Sequence, residues 1–451
     1  MRRGKRLVIQ AEHLDPAGLG VGRYQRYTVL AANLLPEESA EVVIDHVSHH
    51  QPTAWATVVE RLSPAAPSRV EPACRQFGRC GGCIWQHVRY ETQLEYKHNA
   101  VVEALGSALS PAPEVAQVIA APSQLGYRNK GKYVVGDTPD GRIQLGAYAP
   151  RSHSLVDTIG CKVVEPVIDE AAQLTRDALS EAGLSIYSER SHTGELRYVL
   201  IRAAGDGRAL VALVTTSRTP PEPLKAAADV LVSDERISGV VWVRNDLTSG
   251  ALLTDDIVPL AGDETMVVTM SGVPVRVSAS EFLQVNTAQA TNLYAAVADA
   301  VGAGEDTSAV DLYCGVGGIS FALASRGAKV LGVEHNGRAI DAAVEAADRA
   351  GISERVSFHA GDASAITSLL GDNEPSVVVV NPPRKGLTDD ARAAVCNLGA
   401  RTLAYVSCGP KTLARDLVGF RDVGYTIESV QPFDLMPGTP QVETLVVCRL
   451  F

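Results

Sequence analysis

From Thr307 onward, short apolar runs alternate with alanine-rich amphipathic stretches, and this alternation narrows the possible folds more than any other feature of the chain. It predicts βαβ units around a mostly parallel sheet. Open sheets of that kind keep their ligand sites outside the carboxyl ends of the strands. One apolar run ends in Tyr405-Val406-Ser407-Cys408, and the following Gly409-Pro410 forces a turn. Cys408 is therefore expected at a sheet edge, as a candidate nucleophile.

The chain has 451 residues and is 46% hydrophobic, enough for two or three domains with real cores. After the basic start Met1-Arg2-Arg3-Gly4-Lys5-Arg6 only a short apolar run precedes Gln10, so neither signal peptide nor membrane span is expected, and the cytoplasm is the expected location. A formal net charge of -11 argues against broad adhesion to nucleic acid, so any RNA has to be met by a local patch. Eight cysteines in a cytosolic chain of this size suit metal ligation or catalysis better than a disulfide framework.

Residues up to about 69 alternate β-rich runs (6–10, 27–32, 40–47, 54–61) with turns, which suggests a small closed barrel. Gly18, Gly20 and Gly22 punctuate the first connection, and Ser63-Pro64-Ala65-Ala66-Pro67 reads as a linker. A cysteine cluster, a helix from 89 to about 109 and a β-rich stretch then form a middle domain. The expected architecture is thus multi-domain α/β: a barrel at 1–69, a β-rich central domain at 70–271, and a Rossmann-like domain at 272–451. The 89–109 helix is a candidate to pack on the last of these.

The segment Asp311-Leu312-Tyr313-Cys314-Gly315-Val316-Gly317-Gly318 follows a strand and opens a helix at 319–326. Glycines there let a cofactor approach the backbone, and a helix N-terminus favours a carboxylate. The next strand ends in Glu334, placed to accept from two ribose hydroxyls; Asp362 ends a third strand, where it can meet an adenine amino group. That order suits S-adenosylmethionine better than a dinucleotide, although the same spacing could hold NAD. Strand 377–380 delivers Asn381-Pro382-Pro383-Arg384 to the same edge, a turn that two prolines make rigid. Amino-group methyltransferases have an aromatic residue after such prolines. Here Arg384 suits a phosphate or a base oxygen.

Together these residues suggest methylation of a pyrimidine carbon. Uracil C5 is too weak a nucleophile alone, but thiolate addition at C6 makes the ring an enolate whose C5 can attack a sulfonium methyl. A base must then remove the C5 proton. Glu443, in a turn-rich loop leading into a last strand at 445–448, can face the same cleft. The plainer readings are a core thiol and a solvated acid. Cys314 is the competing thiol, but its place inside the loop suggests packing.

The set Asp311–Gly318, Asn381-Pro382-Pro383-Arg384, Tyr405-Val406-Ser407-Cys408 and Glu443 closely resembles the RNA uracil-5-methyltransferase family. Ser280-Glu281-Phe282-Leu283-Gln284-Val285-Asn286 resembles that family's Phe-Gln-Val-Asn element. The resemblance implies that Gln284, Tyr313, Glu334 and Asn381 bind S-adenosylmethionine, beside Gly315, Gly318 and Asp362 from the loop and strand-end reading, with Cys408 the nucleophile and Glu443 the base. It implies a class I methyltransferase domain and a TRAM-like, OB-like RNA-binding barrel. Family members usually carry Asp where Asn381 stands, and commonly His where Gln441 stands.

Cys74, Cys80 and Cys83 form a tight triplet, and Cys161 is a plausible distant fourth ligand. Four thiolates suit either zinc or a [4Fe–4S] cluster. The resemblance implies the iron–sulfur cluster, because the ribosomal-RNA branch carries this arrangement, and with it 23S rRNA as the RNA partner. Tyr127, Arg128, Lys130 and Lys132 set an aromatic ring among cations and, with Arg384, are candidate RNA contacts. No membrane and no obligate protein partner is inferred. The alternatives are a tRNA uridine C5-methyltransferase, an amino-group methyltransferase using Asn381, and a noncatalytic RNA-binding iron–sulfur protein.

Overall fold

In the computed structural model, which describes every residue except 139, 151, 248–253, 255 and 372–373, the N-terminal strands close on themselves. Strands Arg6–Leu14, Gly20–Tyr24, Tyr27–Ala31, Ser39–Val47 and Thr53–Arg61 form a closed barrel, with Tyr27–Ala31 and Thr53–Arg61 paired in parallel. Alternation turns Leu7, Ile9, Val42, Ile44, Ala54 and Ala56 inward, and closure leaves no free edge to aggregate. The strand at Gly20–Tyr24 falls where glycines had suggested a connection. A Cβ at Gly20 would lie 2.3 Å from the Leu34 carbonyl oxygen, and one at Gly22 2.6 Å from that of Gln10, so these glycines serve close backbone approach within the barrel.

The proline-spaced linker is docked. Glu38, fully buried, accepts from Arg69 Nε at 2.6 Å and Nη2 at 2.7 Å, and from the backbone N–H groups of Leu35 and Ala66. Burial raises its pKa, but these donors outweigh that and hold it at about 2. Beyond the linker, helix Tyr90–Ala108 packs against helix Pro410–Asp422. Its Val101 and Leu105, with Leu109 just after it, lie in the same buried cluster as Val378, Leu403 and Leu417.

A seven-stranded sheet follows, ordered in space as Ile257–Gly262, Ile237–Arg244, Ala209–Thr215, Leu196–Ala203, Lys130–Asp137, Ile143–Tyr148 and Leu155–Asp157. One pair, Ala209–Thr215 with Ile237–Arg244, is parallel, because helix Glu222–Val232 carries the chain back between them. Leu210, Ala212 and Val214 share a core with Leu293, Ala309 and Val379, so central and C-terminal regions bury one continuous apolar layer.

The C-terminal sheet runs Val356–Ala360, Lys329–Glu334, Ser308–Leu312, Val377–Val380, Thr402–Ser407, Glu443–Leu450, Tyr425–Phe433. The first five are parallel, and Glu443–Leu450 enters antiparallel. Val377–Val380 and Thr402–Ser407 are buried throughout, as strands covered on both faces must be. The order places the carboxyl ends of Ser308–Leu312, Val377–Val380 and Thr402–Ser407 side by side.

Candidate active site

Cys408 follows the last residue of strand Thr402–Ser407, and Asn381 follows Val377–Val380 on the neighbouring strand. Because Glu443–Leu450 is antiparallel, its first residues lie at this same edge. Thr444 pairs with Ser407, so Glu443 arrives beside Cys408. Glu443 is 6% exposed and opens the strand, instead of sitting in a solvated loop before it.

Three side chains meet here. Burial raises the Cys408 thiol pKa first and the Glu443 carboxylate raises it further, while the positive charge of Arg384 lowers it. Glu443 itself is pushed up to about 8 by burial, against the opposing pull of Arg384. The Asn381–Arg384 turn thus supplies a cation whose charge acts on both the thiol and the buried acid. Both acids gain their anionic forms as pH rises, and each anion opposes the other.

The segment leading into Glu443 is held from several sides. Gly438 N–H donates to Gln93 Oε1 at 2.8 Å, and its carbonyl accepts from Trp85 N–H at 2.8 Å. Asn286 Nδ2 donates to Leu435 O at 3.2 Å and Lys97 Nζ to Met436 O at 3.1 Å. Tyr127 hydroxyl donates to Pro437 O at 3.1 Å. Tyr127 is buried at 7% exposure, and its hydroxyl tethers this loop.

The glycine-rich loop curls at the end of Ser308–Leu312 with left-handed backbone at Tyr313 (φ 64°), Gly315 (φ 55°) and Gly317 (φ 92°). A Cβ on Gly317 would lie 2.9 Å from both Phe321 Cε2 and Phe358 Cζ, and one on Gly318 2.6 Å from Tyr294 Cε2. Glu334 accepts from Gly315 N–H at 3.3 Å and Asn336 N–H at 3.0 Å, which fixes its carboxylate beside the loop. Asp311 is fully buried: Ser320 donates to Oδ2 at 2.7 Å, and Oδ1 has no partner among the described residues. Burial pushes its carboxyl up to about 7. We predict that Gly317→Ala weakens binding of the loop's ligand by about fivefold or more, for about 1–3 kcal/mol of strain and displacement. Calorimetric titration of the variant checks this; unchanged affinity would show the loop to be tolerant.

Asp362 caps the short turn Ala363–Ala365, accepting from Ser364 N–H at 2.8 Å and Ser364 Oγ at 2.6 Å, which holds its carboxyl low. Asn381 is half-buried, its N–H donating to Leu312 O at 3.2 Å, so it sits beside the loop. The backbone of Gln284 is fixed by Asn129, whose Nδ2 donates to Gln284 O and to Thr287 Oγ1, each at 2.9 Å. Asn129 and Tyr294 were not singled out in the sequence, where a lone buried amide and a helical tyrosine carry no pattern.

A family described as a methyltransferase domain matches residues 303–407. The chain is 31% identical to an uncharacterized RNA methyltransferase of Listeria monocytogenes, over 100% of this chain and 99% of that one. It is also 31% identical to one from Clostridium acetobutylicum, over 100% and 98%. The chain belongs to the RNA methyltransferase family. Its fold is similar to the crystal structure of the Pyrococcus abyssi tRNA (uracil-54, C5)-methyltransferase in complex with S-adenosyl-L-homocysteine. That match has a TM-score of 0.77 at 25% identity and covers 98% of this chain and 100% of that one.

Away from the edge, the methyltransferase has a cavity of about 580 Å³ lined by Cys74, Cys80, Cys83 and Cys161 together with Arg128, Lys130 and Lys132. Among the described residues no three His, Cys, Asp or Glu side chains stand close enough together to hold a single metal ion. Burial pushes the Cys83 thiol up to about 12, with Cys161 adding to it. Burial, then Arg202, Lys132 and Arg128, lower Lys130 to about 7. The cavity thus sets several cations against four thiols. No helix among the described residues is long and apolar enough to cross a membrane.

Proposed function

We propose that this RNA methyltransferase methylates C5 of a uridine, using S-adenosylmethionine and a covalent bond from Cys408 to the base. The observation that carries the reading is the meeting of Cys408, Arg384 and Glu443 at one strand edge, beside the glycine-rich loop. The left-handed loop and the Glu334 carboxylate suit the donor's nucleoside, with Gln284, Tyr313, Gly318, Asp362 and Asn381 around it. When bound, the donor supplies an electrophilic methyl group.

Cys408 thiolate adds to C6, and the electron pair released onto C5 takes the methyl group. Glu443 carboxylate then removes the C5 proton, the C5–C6 double bond re-forms, and the sulfur leaves as thiolate. Arg384 favours both anions that this sequence needs. A sulfonium bound nearby favours them too, so donor binding would activate the pair. The target uridine has to leave its stack, because a stacked base hides C6.

With RNA carrying 5-fluorouridine, C5 holds fluorine where the proton should leave, so elimination cannot follow. The wild type should form a complex stable to denaturing gels, and Cys408→Ala should form none. A complex that persists in Cys408→Ala removes the assigned nucleophile; methylated amino groups on product nucleosides would favour the chemistry at Asn381 instead.

For the RNA we favour 23S rRNA, with Arg128, Lys130, Lys132 and Arg384 contacting it and the barrel adding surface. A tRNA uridine is the second reading, favoured by the substrate in the name of the Pyrococcus protein. Nucleoside analysis of separated rRNA and tRNA from cells lacking the protein decides between them. In the cysteine cavity we favour a [4Fe–4S] cluster of structural role. What supports the reading is the donor set, four thiols lining one cavity together with cations that would offset an anionic cluster. Iron and sulfide analysis of anaerobically purified protein tests it; bound zinc without sulfide would replace it.

A further inference from the structure

Arg384 stands on a turn whose Pro383, Arg384 and Lys385 are all exposed, so neighbouring side chains do not pack it in place. What anchors this turn is its backbone: Asn381 N–H donates to Leu312 O at its start, and further on the anchors come from helix Pro410–Asp422. Thr412 Oγ1 lies 3.3 Å from Arg384 O and 2.9 Å from Gly409 O, two acceptors that share its one proton. Arg415 Nη2 donates to Lys385 O at 3.1 Å and Leu387 O at 3.0 Å. Leu387 N–H donates to Asp416 Oδ2 at 2.9 Å.

Asp416 is fully buried, and the same Oδ2 accepts from the Tyr405 hydroxyl at 2.7 Å. Tyr405 lies on the strand that ends at Ser407, immediately before Cys408. Oδ1 accepts from Arg415 Nε at 2.8 Å, with Arg392 Nη1 at 3.5 Å. One carboxylate therefore binds the turn of Arg384, the strand of Cys408 and the arginine that clamps the turn. Gly386 (φ 73°) permits this approach, since a Cβ there would lie 2.5 Å from Asp416 Oδ2 and 2.6 Å from Arg415 Nη2.

We propose that Asp416 is a positioning residue that ties the turn of Arg384 to the strand of Cys408 and so keeps the thiol reactive. The charged groups that act on the sulfur are Glu443 and Arg384; Asp416 is not among them. Those facing Asp416 are Arg415, Arg392 and Tyr405, with Tyr313 on the glycine-rich loop also within reach of its charge. Removing a negative charge by direct Coulomb action would, if anything, ease thiol ionisation. Loss of positioning makes the opposite prediction, and this separates the two effects.

The test is alkylation of Cys408 by iodoacetamide in the full chain, read on the Cys408 peptide by mass spectrometry across pH 7 to 10. It uses no RNA, so it stands or falls apart from the uridine assignment, on which only its catalytic consequence rests. Asp416→Asn should slow alkylation at pH 8 by roughly threefold to tenfold and move the profile to higher pH. Arg384→Met should do the same, and the double variant should be no slower than Arg384→Met alone. An unshifted profile in Asp416→Asn, or additive effects in the double variant, would overturn the proposal. Should Asp416→Asn not fold, Arg415→Met takes its place, at a half-exposed site: it should shift the profile the same way, Arg415→Lys restoring part of it, and an unshifted Arg415→Met profile overturns the proposal equally.

Discussion

Glu443→Gln should convert the methyltransferase into a protein that joins RNA and does not let go. Cys408 can still add to C6 and C5 can still take the methyl group, but no carboxylate remains to remove the C5 proton. Ordinary uridine RNA should then accumulate as a methylated covalent complex, with multiple turnover slower by about 10²–10⁴-fold. Cys408→Ala should lose at least about 10⁴-fold and show no complex at all. Denaturing gels with labelled methyl donor distinguish the two variants. If Glu443→Gln turns over at the wild-type rate with no adduct, the proton leaves by another route.

The same substitution carries a stability effect whose sign follows from the carboxyl's pKa, about 8 in the fold against 4.5 for the ordinary group. Between those values the folded protein holds a proton that the unfolded chain has lost, so wild-type stability falls as pH rises through this window. Glutamine carries no such proton. Glu443→Gln should therefore melt at a higher temperature than the wild type above pH 8, the difference shrinking toward pH 4.5. A gap in melting temperature independent of pH would contradict the assigned shift.

Lys97→Met should cost about 3–5 kcal/mol of stability, because it leaves the carboxylate of Asp434 buried without its cation. Lys97 Nζ lies 2.5 Å from Asp434 Oδ1, and both side chains are fully buried. Burial lowers the lysine pKa, and the pull of Asp434 opposes this only in part. Asp434 Oδ1 also accepts from Met436 N–H at 3.0 Å, at the start of the segment that aims Glu443. Stability and turnover should therefore fall together. Replacing both residues by apolar ones of similar volume should recover much of the stability, since the pair is paid for in lost hydration. Denaturant unfolding checks the series, and a cost below about 1 kcal/mol for Lys97→Met would mean that water reaches Asp434.

Much of this chain was legible before folding. Apolar runs of four to six residues, alternating with helical periodicity, predict the parallel strands, and Val377–Val380 appears with the expected bounds. The glycine loop, Asn381-Pro382-Pro383-Arg384 and Cys408 were legible because each is a local pattern at a strand end. Periodicity and turn chemistry act within about ten residues, so they survive in one dimension. Glu443 was legible only as an acid before a strand. Its burial comes from the antiparallel register of Glu443–Leu450 on Thr402–Ser407, a pairing between segments far apart in the chain. The barrel strand Gly20–Tyr24 was hidden for the same reason, because its glycines answer to Leu34 and Gln10 across the barrel.

By itself, then, the order of residues determined the parallel sheet, the thiol at its edge and the loop beside it. The tertiary structure alone decided that Tyr127 tethers a loop, that Asp416 joins a turn to a strand, and that Lys97 pairs with Asp434 across 337 positions. Local sequence sets backbone preference, whereas burial and partner choice for a polar side chain depend on what the rest of the chain brings against it.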